Sequence, residues 1–216
     1  MSVLIQKIAY SLLIKNMAYG DFSFEDIEQK FGVKNKVKRL FSYFPPITLS
    51  ERLNEALEMA NELPVRSEKA KSETIVFPIL IELRKLNNKF FTIYSGDNLN
   101  VDEAQGLRGE CDFILSKDVG SFSINYPILQ IVEAKKNDLE LGIPQCAAQL
   151  IGAKIFNERK GVFLDSIYGC VTTGNEWIFL KLETDILIDT RIYYLNEIGE
   201  ILAVFQHIID YYKAIN

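Results

Sequence analysis

The chain has 216 residues, 48% of them hydrophobic and 25% charged, and carries a net charge of −5. That is enough for one sizeable core, and it leaves no global basic field to draw in a polyanion. Cys111, Cys146 and Cys170 are too few and too scattered for a disulfide framework or a zinc ligand set, and read as small buried hydrophobes of a reducing compartment.

Residues 1–66 read as a helical N-terminal region of nearly balanced charge, nine Lys/Arg against eight Asp/Glu. Leu4, Ile8 and Leu12 mark one face of a first helix. Lys7 and Lys15 interrupt this apolar start, which is short for a signal peptide. Ser23 followed by Asp26 has the form of a capping box opening a second helix, and Ser50 precedes a third over 51–62, stopped by Pro64. Between them Lys34, Lys36, Lys38 and Arg39 lie beside Phe41, Tyr43 and Phe44. This cluster reads either as a patch that contacts phosphates or as the solvated face of a helix, the commoner fate of a charge run.

From residue 68 onward the pattern changes, and residues 67–216, read as one α/β domain, carry fifteen Lys/Arg against twenty-one Asp/Glu. A helix bearing Glu73, Phe77, Leu80 and Leu83 comes first, with Pro78 as a kink or a late start. Strands are expected over 90–95, 109–116 and 127–135. Pro144 then opens a helix to about Asn157. Three more strands, over 167–173, 177–182 and 188–195, precede an amphipathic helix carrying Ile198, Ile201, Leu202, Phe205 and Ile208. The order predicts a mixed α/β sheet with helices on its faces. No segment approaches the ~20 apolar residues of a membrane helix, so a cytoplasmic, soluble protein is expected.

The most informative stretch is 127–136, an apolar run ending in Glu133 and Lys135. Alternation places both side chains on the face of Leu129 and Ile131 and Lys136 on the opposite one. Charge there is costly to bury unless something pairs with it, and a divalent metal and a phosphate would do so. In the strand over 109–115, alternation groups Glu110, Asp112 and Ile114 on one face and Cys111, Phe113 and Leu115 on the other. Asp112 and Glu133 on adjacent strands would repel unless a cation sat between them, and oxygen-only ligation with room for waters suits Mg²⁺ or Mn²⁺. Lys135 would then position or deprotonate an attacking water, or neutralise charge on a phosphate. An isolated Glu-x-Lys is ordinarily a salt bridge at a strand end.

With these motifs in order, the chain resembles the PD-(D/E)XK nuclease superfamily, and in particular the nuclease domain at the N-terminus of type I restriction motor subunits. The resemblance spans about 68–173. It rests on Ser72-Glu73 followed by Pro78-Ile79-Leu80, on Gly109 to Leu115 with Asp112, on Ile131 to Lys136, and on Gly142, Gln145 and Ala148. Cys111 stands where the motif's proline would be. The resemblance implies a restriction-endonuclease-like fold with a metal-binding catalytic core of Asp112, Glu133 and Lys135. It further implies Glu73 holding a metal-bound water and Gln145 beside the site. The helix-borne acid is Glu73 or Glu82. Gln149 lies one turn beyond Gln145 and is read as the polar edge of a core helix.

Other chemistries are poorly supported. The single histidine, His207, has no partnered Ser or Cys for a triad, and no Gly-rich phosphate loop occurs. Trp177 and Tyr193-Tyr194 are expected to pack, with base stacking as the alternative for a tyrosine. The expectation is a metal-dependent nuclease acting on DNA, possible as a homodimer. The alternative is a nuclease-like fold kept as a nucleic-acid-binding or assembly module.

Overall fold

The computed structural model describes residues 17–117 and 120–215. The helix expected around Leu4, Ile8 and Leu12 lies outside them. Among the described residues the chain forms a mixed α/β architecture built on one open eight-stranded sheet.

Capping chemistry sets the early helices. Ser23 accepts the Asp26 amide while Asp26 accepts the Ser23 amide, which opens α1 (Phe24–Phe31). Gly32, in the left-handed region at φ +67°, closes it. Ser50 caps α2 (Glu51–Glu62) through the Leu53 amide. Between them, the basic cluster is not helical. Asn35–Val37 forms β1, an exposed edge strand in parallel register with β7 (Ile186–Ile188). Lys36 forms an ion pair with Asp185 beside it. With all three strand residues exposed there is no apolar alternation to mark it. Phe41 is buried, and Phe44 stacks on His207 at 4.6 Å, so these rings serve packing.

A long helical segment follows in three parts: α3 (Glu68–Lys71), a π-turn (Ser72–Val76) and α4 (Phe77–Leu86). Proline at 78 has no N–H to donate, and the Phe77 amide instead reaches five residues back to Ser72. The expected kink is therefore a π-turn. The helix begins at Ser67, which caps it through the Ala70 amide.

The strands are β2 (Thr92–Asn98), β3 (Glu110–Ser116), β4 (Ile128–Ala134), β5 (Ile167–Thr172), β6 (Glu176–Leu182), β7 and β8 (Tyr193–Tyr194). The run expected over 188–195 is thus split between two short strands. Spatial order is β1-β7-β6-β5-β4-β3-β2, with β8 on β6. Every residue of β4 and β5 is buried, as suits central strands covered on both faces. They run parallel, joined by helix α5 (Leu139–Arg159). That helix starts at Leu139, five residues before the expected start, capped by Asp138 through the Glu140 amide at 2.8 Å; Pro144 is accommodated inside it.

Two cores lie on the two faces of the sheet. One holds Cys146, Ala148 and Leu150 of α5 with Ile114, Ile131 and Val171. The other holds Ile79, Leu80 and Leu83 of α4, Leu202 and Phe205 of α6 (Ile198–Ala214), Phe113 and Val132. Phe41, Leu53 and Ala60 belong to this second core, so the packing does not break between residues 66 and 67. Trp177 is fully buried and donates to the Gly174 carbonyl. All three cysteines are free and buried.

Simple alternation fails at two places that matter below. Leu115 pairs with Gln130 and Ser116 with Ile128, so Leu129 is the extra residue of a bulge and packs with Val132 rather than with Ile131. Cys111 packs on the α5 side, apart from Phe113 and Leu115.

Candidate active site

Strand β4 delivers Glu133 at its end, 2% exposed, toward α5. The close approach of α5 depends on its small residues. A Cβ on Gly142 would fall 2.5 Å from Val171 Cγ1 and 2.9 Å from Lys135 Cγ. That approach brings two glutamines onto the carboxylate. Gln145 Nε2 donates to Glu133 Oε1 at 2.5 Å and Gln149 Nε2 donates to Oε2 at 2.7 Å. Lys135 Nζ donates to Oε1 at 2.7 Å, forming an ion pair whose side chains are 18% and 3% exposed.

Asp112 arrives from β3. Its Oδ2 accepts the backbone N–H of Ala134 at 2.7 Å, extending the strand pairing with a side chain. Asp112 lines a cavity of about 370 Å³ together with Glu68, Lys69, Ser72, Glu73, Ser95 and Glu110. Asp112 and Glu133 are near enough for each to act on the other's carboxyl.

Burial governs the electrostatics. Burial, and then the neighbouring Asp112, push the Glu133 carboxyl up to about 8, against the pull of Lys135 and Gln149. Burial likewise raises Asp112, with Glu68 adding to it, while the Ala134 amide and Lys135 act the other way. Burial works against the Lys135 ammonium, yet Glu133, Glu68 and Asp112 outweigh it and hold it above its ordinary value. Two carboxyls that resist ionising together, with one amine between them and solvent, form a site short of positive charge.

Of the residues expected here, Asp112, Glu133, Lys135 and Gln145 converge. Glu73 lies on the cavity wall, exposed, 3.8 Å from Lys69. Such a pair contributes at most about 1 kcal/mol. Glu82 does not belong to the site. It is buried on α4 and accepts from the Ser50 hydroxyl at 2.8 Å, tying α2 to α4. Gln149 was expected at a polar edge but is fully buried on Glu133, because α5 packs flush against the strand end. Glu68 was missed altogether. It acts on both Asp112 and Lys135, and the signal for it was Ser67, an N-cap residue five positions earlier than Ser72.

No group of three or more His, Cys, Asp or Glu is placed to hold a metal ion among the described residues. The donor set is the pair of carboxyls. Glu133 Oε1 is taken by two donors, while Oε2 has one, and Asp112 Oδ2 has one. Each carboxylate oxygen can accept twice, so open acceptor positions remain on both residues. That fits a hard divalent ion held by one or two carboxylates that keeps most of its waters.

No protein-family model and no curated protein matches the chain.

Proposed function

We propose that this chain is a metal-dependent nuclease of the restriction-endonuclease-like type, hydrolysing DNA phosphodiester bonds with Mg²⁺ or Mn²⁺. The observation that carries the reading is the meeting of Asp112 and Glu133, both raised by burial, Glu133 further by Asp112 and Asp112 by Glu68, with the Lys135 ammonium 2.7 Å from Glu133. Packing alone does not call for this arrangement. Apolar residues of similar size would hold the same strand ends without the desolvation cost of three ionisable groups.

Asp112 and Glu133 would hold the ion, which when bound supplies charge stabilisation at a phosphate and a more acidic water. Gln145 and Gln149 fix the Glu133 carboxylate and limit its rotation. Lys135 presents a permanent ammonium for the charge developing on a phosphate oxygen, or orients the attacking water. Glu68, half-buried on the cavity wall, is the better supported helix-borne acid, and Glu73 sits one turn further along.

The test is cleavage of plasmid and single-stranded DNA by purified protein with and without divalent ions. Divalent-dependent nicking is expected, and it should vanish in Asp112→Ala and in Lys135→Ala. Activity surviving either substitution would remove this site from the reaction.

One observation favours a second reading, a nuclease-like fold acting as a non-catalytic nucleic-acid-binding or assembly module: no three-ligand group occurs among the described residues. Calorimetric titration with Mn²⁺ separates the two. Binding lost in Asp112→Asn supports the nuclease, and absence of binding supports the module.

A further inference from the structure

The cations of this acidic chain are not spread evenly. A cavity of about 470 Å³ between α2 and the end of α4 is lined by Arg52, Ile81, Arg84, Lys85, Asn88 and Lys89, four basic residues and no acidic one. Among the described residues no side chain pairs with Arg52, Lys85 or Lys89, all three exposed. Arg84 uses Nε on the Phe91 carbonyl at 2.8 Å, which fixes its guanidinium and leaves the terminal nitrogens for a ligand. Asn88 and Lys89 hold left-handed backbone at φ +52° and +61°, a conformation uncommon outside glycine, and the Lys89 amide closes back onto the Arg84 carbonyl at 2.9 Å. This turn returns Lys89 to the groove. Like charges gathered without counter-charges repel, so the cluster is suited to an external polyanion.

The groove does not stand alone. Arg52 and Lys85 also line the adjoining cavity with Phe77 and with Glu82, whose carboxylate accepts from Ser50, and Phe77 lines the next one with Glu73, Ser95 and Phe113. These last three lie on the wall of the Asp112 cavity. Phe77 is 38% exposed and stacked on Phe113 at 6.2 Å, a fixed aromatic face midway along the path. Twelve helical positions separate Glu73 from Lys85, about 18 Å at 1.5 Å per residue, the axial length of about five base steps of a duplex at 3.4 Å each.

We propose that Arg52, Arg84, Lys85 and Lys89 form a phosphate-binding groove that grips the backbone of a nucleic-acid strand leading past Phe77 to the Asp112 cavity. The route to the carboxylates rests on the nuclease reading; the groove as a phosphate site does not.

The test uses the full chain and fluorescence anisotropy with labelled 20-nucleotide single-stranded and duplex DNA in EDTA, where nothing is cleaved. The variant is Arg52→Gln/Lys85→Gln/Lys89→Asn, asparagine being tolerant of left-handed backbone. Arg84 is left in place because it also holds Phe91. The control, Lys38→Gln/Lys154→Gln/Lys160→Gln, makes the same change in charge elsewhere. The groove variant is expected to lose at least about tenfold in affinity and about 2–3 units of log–log salt slope, from 0.7–0.9 per lost phosphate contact, with an unchanged melting temperature. Loss no greater than the control's, or no binding of either DNA by the unsubstituted protein, overturns the groove. Divalent-dependent cleavage that persists in the groove variant at subsaturating DNA also overturns it and leaves the nuclease standing. Binding that depends on the groove, in a protein that never cleaves, supports the groove and removes the nuclease.

Discussion

Glu82 and Glu133 are both buried, 5% and 2% exposed, and both end in a carboxylate that accepts hydrogen bonds from the protein. Around Glu82 the donors are the hydroxyl and amide of Ser50, and the result is a tie between two helices. Around Glu133 there are three side-chain donors, yet burial, and then a second carboxyl standing beside them, raise it. Burial of a carboxylate is therefore not the mark of a site; an unneutralised neighbour is.

The largest effect that would break this contrast is on catalysis. Asp112→Ala and Lys135→Ala should each lower divalent-dependent cleavage by about 10²-fold or more, the scale of removing one group aimed at developing charge. Glu82→Gln should leave the rate per folded molecule unchanged. A cleavage assay on the three variants decides it, and a catalytic loss in Glu82→Gln at full folding would erase the distinction.

Stability should divide the same pair the other way. Glu82→Ala leaves the Ser50 hydroxyl and amide without their acceptor and should cost about 1–3 kcal/mol. Metal-free Glu133→Gln removes one of two repelling charges and should melt no lower than the parent at pH 8. Denaturant midpoints measure both, and a large destabilisation of Glu133→Gln would contradict the electrostatic picture.

The pH dependence sharpens the contrast further. Glu133 has a folded value of about 8, above its unfolded value of about 4.3. Its stabilising contribution is thus fully present below about pH 4.3 and is lost as pH rises through about 8. Metal-free protein should lose melting temperature across that window, and Glu133→Gln should flatten the profile. A saturating divalent ion should restore the lost stability at high pH by mass action. A parent profile that rises with pH over the same window would reverse the sign expected here.

Two smaller effects concern the supporting residues. Gln149→Leu should weaken Mn²⁺ binding by about 10–100-fold, as loss of a group that orients a metal-holding carboxylate does. Of the two helix acids, Glu68→Gln should reduce cleavage more than Glu73→Gln, whose parent is exposed and paired with Lys69. Equal effects would return Glu73 to the place Glu68 now takes.

Much of the fold is legible in the sequence. The capping serines at 23 and 50 set α1 and α2 because their chemistry is local. The fully buried β4 showed as an apolar run ending in charge. What periodicity does not carry is register. The bulge at Leu129 and the departure of Cys111 from Phe113 depend on partner strands that one segment cannot see. Edge strand β1 was hidden because three exposed residues leave no pattern. Pro144 misled for a different reason: proline is a good start signal, and α5 tolerates it inside. Glu68 is not singled out by the sequence because Pro78 leaves the start of its helix open, whereas Ser67 caps it.

The central claim is a cation between Asp112 and Glu133, and the most direct measurement is anomalous diffraction at the manganese edge from crystals soaked in Mn²⁺. A peak bridging those two side chains, absent in crystals of Asp112→Asn, is the expected result. Full density for both carboxyls with no peak between them, or the Lys135 ammonium standing in that space at saturating Mn²⁺, would contradict it.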